Sequence, residues 1–170
     1  VTAEVLRTAL WMQSTHALSY YLEQLHHLSA ELSLSDLLVK VSGELMLLAN
    51  DSPDIASERA GEPYRRAIAA IYARLDATAK DLNNTKPMRE AIDQAPPYRN
   101  VEEFSTNLTT IHQSLVDSGA RLLANGRLHH LRRAVDVFNF HLAALDMRQN
   151  SDVHERVVTE LFLIARNGLN

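Results

Sequence analysis

Apolar positions along the chain recur at helical spacing for most of its length. Leu6, Leu10, Ala17, Tyr21, Leu25 and Leu28 stand three, four or seven residues apart, predicting about seven turns to roughly Leu32. Thr2 supplies a capping hydroxyl and Glu4 a first-turn carboxylate, while Trp11, Leu18 and Leu22 widen the stripe, as for a helix packed on two sides. Ser33 to Ser42 is less regular, and Val39-Lys40-Val41 alternates like an extended connector. A short helix over Gly43 to Ala49 is closed by Asn50-Asp51-Ser52-Pro53. Gly61-Glu62-Pro63 opens the clearest helix, because proline at the first helical position lacks only a donor that would have no partner there. Tyr64, Ile68, Ile71, Leu75 and Leu82 form its stripe, with Arg65, Arg66, Arg74 and Lys80 mostly outside it. The run 83–99, with Lys86-Pro87 and Pro96-Pro97, reads as a surface loop with at most one helical turn and as the most mobile stretch.

Asn100, with Glu103 three residues on, starts the next helix. Phe104, Leu108, Ile111, Leu115 and Leu122 carry its stripe to the stop signal Asn125-Gly126. Arg127 to Val137 forms a helix around Leu128, Leu131 and Val135. Phe140 to Arg148 reads as a strand, and Ser151 caps a last helix carrying Val157, Val158, Leu161 and Ile164. The fold class that follows is all-α: about seven helices in one domain over 1–170, with one extended segment at 140–148. Residues 140–166 form a strand-plus-helix unit.

Composition narrows the function. Hydrophobic residues make up 46% and charged residues 22% of 170, so the chain has enough apolar content for a packed core. A net charge of −4 argues against general nucleic-acid binding. No apolar run reaches bilayer length and no basic-then-apolar leader is present. Zero cysteines exclude disulfides and thiolate zinc sites and fit a cytoplasmic protein. The start at Val1, without a methionine, predicts a piece of a longer chain.

Of the candidate chemistry, most has a plain structural reading. His26-His27 and His129-His130 are adjacent pairs whose side chains diverge by about 100° on a helix, which suits no shared metal ion. Arg121, Arg127, Arg132 and Arg133 offer either an anion contact or a solvated helix face with carboxylate partners. Arg148 differs. On a strand, Leu142, Ala144, Asp146 and Arg148 share one face and His141, Ala143, Leu145 and Met147 the other. Both faces stay apolar almost to the tip, as for a strand buried in a parallel sheet. An arginine at that tip needs an anion, either Asp146 in an ion pair or a phosphate or carboxylate ligand.

These residues carry a family resemblance. Leu145-Asp146-Met147-Arg148-Gln149-Asn150-Ser151, with His154 after it, resembles the Leu-Asp-Ile-Arg-Gln-Glu/Asn-Ser-x-x-His signature of phosphoenolpyruvate carboxylases. Ala124-Asn125-Gly126 with Leu131-Arg132-Arg133 is similar to the segment just upstream of that signature. Glu62-Pro63-Tyr64-Arg65 resembles the family's Glu-Pro-Tyr-Arg helix start, Glu31-Leu32-Ser33 its Glu-Leu-Ser turn. Val1-Thr2-Ala3-Glu4-Val5 resembles the residues after its Gly-Gly-Asp-Arg-Asp-Gly-Asn-Pro loop. The resemblance implies a mostly helical enzyme around an eight-stranded β/α barrel, an allosteric cytoplasmic homotetramer. It implies carboxylation of phosphoenolpyruvate by bicarbonate to oxaloacetate and phosphate with Mg2+ or Mn2+, carbon dioxide fixation that feeds the tricarboxylic acid cycle. Arg148 inherits the role of holding the substrate phosphate, at the strand tip where barrel enzymes place such groups. Asp146, Gln149 and His154 are possible supporting residues; no catalytic residue and no metal ligand is assigned within the chain, so the segment alone is expected to be inactive. Met147 stands where isoleucine is common, a mild exchange of apolar volume. The alternative is a non-enzymatic helical interaction or effector-binding module.

Overall fold

A computed structural model describes residues 2–53, 59–83, 95–144 and 150–167. Among them are seven helices, α1 (Ala3–Glu31), α2 (Gly43–Asn50), α3 (Pro63–Asn83), α4 (Val101–Asp117), α5 (Arg121–Ala124), α6 (Arg127–Phe138) and α7 (Ser151–Asn167), and no strand. The all-α class follows directly from the periodicity, and so do most of the starts. Thr2 Oγ1 accepts from the Val5 N–H at 3.3 Å, Ser42 Oγ from Leu45 at 3.2 Å, and Asn100 Oδ1 from Glu103 at 3.0 Å. Each satisfies a first-turn donor that the helix itself leaves unpaired. Glu103 does not complete a reciprocal box at Asn100; its carboxylate turns to Arg74 instead.

The core is made by α1, α3, α4 and α6, with α2 laid on α3 and α4. Ala67, Ala70, Ala73 and Ala79 are buried on α3, so its backbone can come close to its neighbours while Ile68, Ile71 and Leu75 fill the space between. Val39 and Val41 pack against this core from the connector, whereas Leu37 and Leu38 between the helices face solvent. Tyr64 and Ser114 meet through their hydroxyls at 2.9 Å, and Ser114 Oγ also accepts from the Ser42 N–H at 3.2 Å. One buried serine thus links α3, α4 and the start of α2. Arg127 joins α6 to α1 by donating to Glu31 Oε1 at 2.7 Å and Gln24 Oε1 at 2.8 Å.

Phe104 occupies the middle of the core. Its ring lies 5.8 Å from Tyr21, 5.4 Å from Tyr98 and 6.1 Å from Phe140, centroid to centroid. These spacings suit aromatic pairs, which add to the area that the rings bury. Around Tyr98 the contacts become polar. The Arg74 guanidinium sits 4.0 Å from the ring centroid and donates to Glu103 at 2.6 Å and to the Pro96 carbonyl at 3.3 Å. Thr78 Oγ1 accepts from the Tyr98 N–H at 2.8 Å, and Asn107 donates to the Tyr98 hydroxyl at 3.0 Å. The C-terminal end of the 83–99 run is therefore tied into the core; residues 84–94, and with them the expected mobile stretch, lie outside the described residues.

Several expectations are corrected. The helix expected over 100–125 is broken: α4 ends at Asp117, and Gly119, at φ +83°, turns the chain into the one-turn α5. Leu122, assigned to the stripe, is 92% exposed, because that turn moves it off the core side. Leu10 and Trp11 are exposed as well, so α1 is buried only from Ala17 onward. Leu82 ends α3 in solvent. The cap of α7 is Asn150, whose carbonyl accepts from Val153 at 3.0 Å, and Ser151 is already its first helical residue. Val157, Val158, Leu161 and Ile164 of α7 are exposed, and α7 packs on no other helix among the described residues. An amphipathic stripe specifies a face but not what covers it.

Two measurements test the aromatic centre. Phe104→Ala is expected to lower the unfolding free energy by ~3–5 kcal/mol in urea titrations. A loss under about 1 kcal/mol would remove Phe104 from the centre of the core. The second is pH. Arg74, donating to Glu103, holds this carboxyl below its ordinary value of 4.5, so its contribution is present above that pH and fades as pH falls further. Burial pushes Tyr98 from 10.0 up to about 12, so its contribution is complete below pH 10.0 and is lost as pH rises toward 12. The melting temperature should fall at both extremes, Glu103→Gln flattening the acid limb and Tyr98→Phe the alkaline one. An alkaline limb as steep in Tyr98→Phe as in the parent chain would contradict the assignment.

Candidate functional site

The corner that the sequence singles out begins where α6 ends. Asn139 takes φ 49° and ψ −138°, a backbone region that side chains rarely occupy, and its N–H still reaches the Val135 carbonyl at 2.9 Å. This residue turns the chain out of the helix. The Tyr21 hydroxyl of α1 donates to the Asn139 carbonyl at 2.7 Å and lies 3.2 Å from the carbonyl of Ala134. Burial, and secondarily the neighbouring Tyr20, pushes the Tyr21 hydroxyl well above its ordinary ionisation range, so it stays a donor. Phe140 then packs on Phe104, the His141 N–H donates to the Phe138 carbonyl at 3.0 Å, and the Ala143 N–H donates to Gln13 Oε1 at 3.2 Å.

Phe140 to Ala144 run through a turn and bends and not as a strand. A lone extended segment has no partner for its ladder of N–H and C=O groups, and here those groups bond locally and to α1. The rest of the expected strand, with Asp146, Arg148 and Gln149, lies outside the described residues. His154 is described: it sits exposed in the first turns of α7, its N–H donating to the Asn150 carbonyl at 3.3 Å. An open groove borders the corner, lined among others by Leu6, Leu10, Trp11, Lys80 and His141.

Two of the four arginines singled out on this part of the chain have structural partners. Arg127 bridges α6 to α1, and Arg132 donates to Thr109 at 3.4 Å. His112, facing Arg132 and His129, is held below the ordinary histidine range by burial first and by those two neighbours second. The adjacent histidine pairs keep their rings 5.6 Å and 5.9 Å apart. Among the described residues no group of three or more His, Asp or Glu is placed to hold a metal ion. No helix among them is long and apolar enough to cross a membrane.

Sequence reasoning missed Gln13, Tyr21 as more than a core ring, Asn139, and Asp76. Asp76 is buried on α3 with Lys80 at 2.7 Å on one carboxylate oxygen and no hydrogen-bond partner on the other. Asn139 alone carried a readable signal, being asparagine directly after an apolar helix end, a residue type that tolerates positive φ.

Comparison with known proteins extends this. The phosphoenolpyruvate carboxylase family model matches residues 1–169. The chain is 56% identical over 168 residues to a phosphoenolpyruvate carboxylase of Azoarcus sp. (strain BH72), with 99% of the chain and 18% of that relative covered. Over 170 residues it is 48% identical to the phosphoenolpyruvate carboxylase of Bradyrhizobium diazoefficiens, covering 100% of the chain and 18% of the relative. The chain thus spans under a fifth of the length of the curated relatives it matches. From Val1 through the Leu145–Ser151 signature to α7, the chain belongs to the phosphoenolpyruvate carboxylase family.

Proposed function

We propose that this chain is a segment of an enzyme that adds bicarbonate to phosphoenolpyruvate, giving oxaloacetate and phosphate. The observation that carries the reading is the family match over residues 1–169, with the Leu-Asp-Met-Arg-Gln-Asn-Ser run intact at 145–151. Arg148 holds the substrate phosphate in this reading. Its guanidinium fork meets two phosphate oxygens at once and stays on the phosphoryl group as that group passes from the enol oxygen to bicarbonate. The products of that step are carboxyphosphate and the enolate of pyruvate, which is then carboxylated. Negative charge moves from one bridging oxygen to another during the transfer, and a fixed cation beside it lowers the barrier without having to reorganise.

Asp146, Gln149 and His154 support the arginine in this reading. The Mg2+ or Mn2+ of the family takes its ligands from chain beyond these 170 residues, and no step here runs through it. Residues 140–148 become a barrel strand, with 140–166 its strand-plus-helix unit, when neighbouring strands supply the missing ladder; 83–99 is a surface loop. The whole protein is a cytoplasmic, allosteric homotetramer supplying oxaloacetate to the tricarboxylic acid cycle.

Steady-state kinetics of the full-length enzyme test the central claim. Arg148→Ala should raise KM for phosphoenolpyruvate and lower kcat, with kcat/KM down roughly 10²-fold or more. Arg148→Lys should recover little, since a point charge does not replace a planar fork. Unaltered kinetics for Arg148→Ala would remove Arg148 from the site.

A further inference from the structure

We propose that His112, His129 and Arg132, converging across the seam between α4 and α6, form a binding site for a dianionic oxyanion group, a sulfate or a phosphate. The proposal does not rest on the role given to Arg148.

The placement follows from how the two helices pack. Leu108, Ile111 and Leu115 of α4 and Leu128, Leu131 and Val135 of α6 are buried where the helices meet. His112, His129 and Arg132 each directly follow one of these residues. One step turns a helix by about 100°, which sets all three at the rim of the buried stripe. Arg132 shows that the two rims face each other, because its Nη2 crosses the seam to donate to Thr109 Oγ1 at 3.4 Å. Thr109 stands one turn before His112 on α4, and His129 one turn before Arg132 on α6. The three basic side chains therefore share one side of the seam.

No carboxylate among the described residues pairs with any of them. On α4, Glu103 is taken by Arg74 at 2.6 Å and Asp117 accepts from Gln113 at 2.7 Å. Glu102 and Asp136, the other acids of these two helices, pair with none of the three. On α1, which packs against α6, Glu31 is taken by Arg127 at 2.7 Å and Glu23 faces His27. In a chain of net charge −4, this side of the seam thus gathers cationic groups without a counter-charge. The half-buried His112 registers the crowding: burial first, then Arg132 and His129, hold it below its ordinary value of 6.5.

The donors suit an oxyanion. Arg132 spends one N–H on Thr109, and the rest of its planar fork matches two oxygens of a tetrahedral anion. The rings of His112 and His129 make no hydrogen bond among the described residues, so both can donate to the same ligand. A dianion seated there offsets Arg132 and favours the protonated form of His112. Binding therefore takes up a proton, and it strengthens as pH falls through 6.5.

Calorimetric titration of the full-length enzyme with sulfate tests this, since sulfate stays a dianion while the histidines titrate. An Arg148→Ala background keeps the proposed substrate site from contributing. Affinity is expected to rise roughly tenfold from about pH 7.5 to about pH 5.5. Proton uptake, read by repeating the titration in buffers of different ionisation enthalpy, is expected to accompany it. Arg132→Gln should weaken binding roughly tenfold. His112→Gln should flatten the pH dependence and reduce the proton uptake, and Arg121→Gln, on α5 outside the seam, should bind as the parent does. His129→Gln, at an exposed position, reads the same loss if either partly buried variant fails to fold. Methyl phosphate binding as tightly as sulfate assigns the site to a phosphate ester, and sulfate binding alone assigns it to a free inorganic anion; either supports the proposal. Absence of sulfate binding in the parent overturns it. So does an affinity unaltered in the His112, His129 and Arg132 variants, or reduced as much in Arg121→Gln.

Discussion

The packed helices of this chain meet around one phenylalanine. Phe104 is buried on α4, and the aromatic rings around it come from α1, from the segment before α4, and from the exit of α6. Burying such a ring is worth a few kcal/mol through apolar area and more through ring-to-ring geometry. Its wider effect is topological, because segments far apart in the chain share one contact point. Arg74 then fastens that point to α3 by stacking on Tyr98 and pairing with Glu103. The pair is partly exposed, so its Coulomb attraction is screened and its use lies in geometry more than in energy.

The polar groups of the core follow the rule that buried hydroxyls find partners. Tyr21 spends its proton on the Asn139 carbonyl, Tyr64 meets Ser114, and Tyr98 accepts from Asn107. Each such bond has a direction, which packing by area lacks. A scaffold helix that merely covered the 139–143 segment would leave its course open, and one that hydrogen-bonds it at two points does not.

α7 shows the opposite case. Its apolar residues are spaced for a helix that packs on something, and among the described residues nothing lies against them; Phe162 is 72% exposed. The chain spans 18% of the length of its relatives, and a face of this size is ordinarily covered in a folded protein. The expected strand at 140–148 stands in the same position. Its two faces read as apolar almost to the tip, yet residues 140–144 turn and bend where no second strand accompanies them.

By itself the sequence determined the helices, most of their caps and the family. Those depend on short-range facts: Pro63 at a first helical turn, Thr2 and Asn100 with side chains that reach donors three residues on, and a run of motif residues at 145–151. Tertiary structure alone decided which apolar residues are buried, since Leu122 and Phe104 look alike in a periodic stripe until Gly119 turns one of them outward. It also decided that Glu103 serves Arg74 and not its own helix cap, and that Tyr21 meets Asn139 across 118 positions. Spacing along a chain carries information about neighbours within a few turns. Which distant groups meet depends on how whole helices pack, and no local pattern records it.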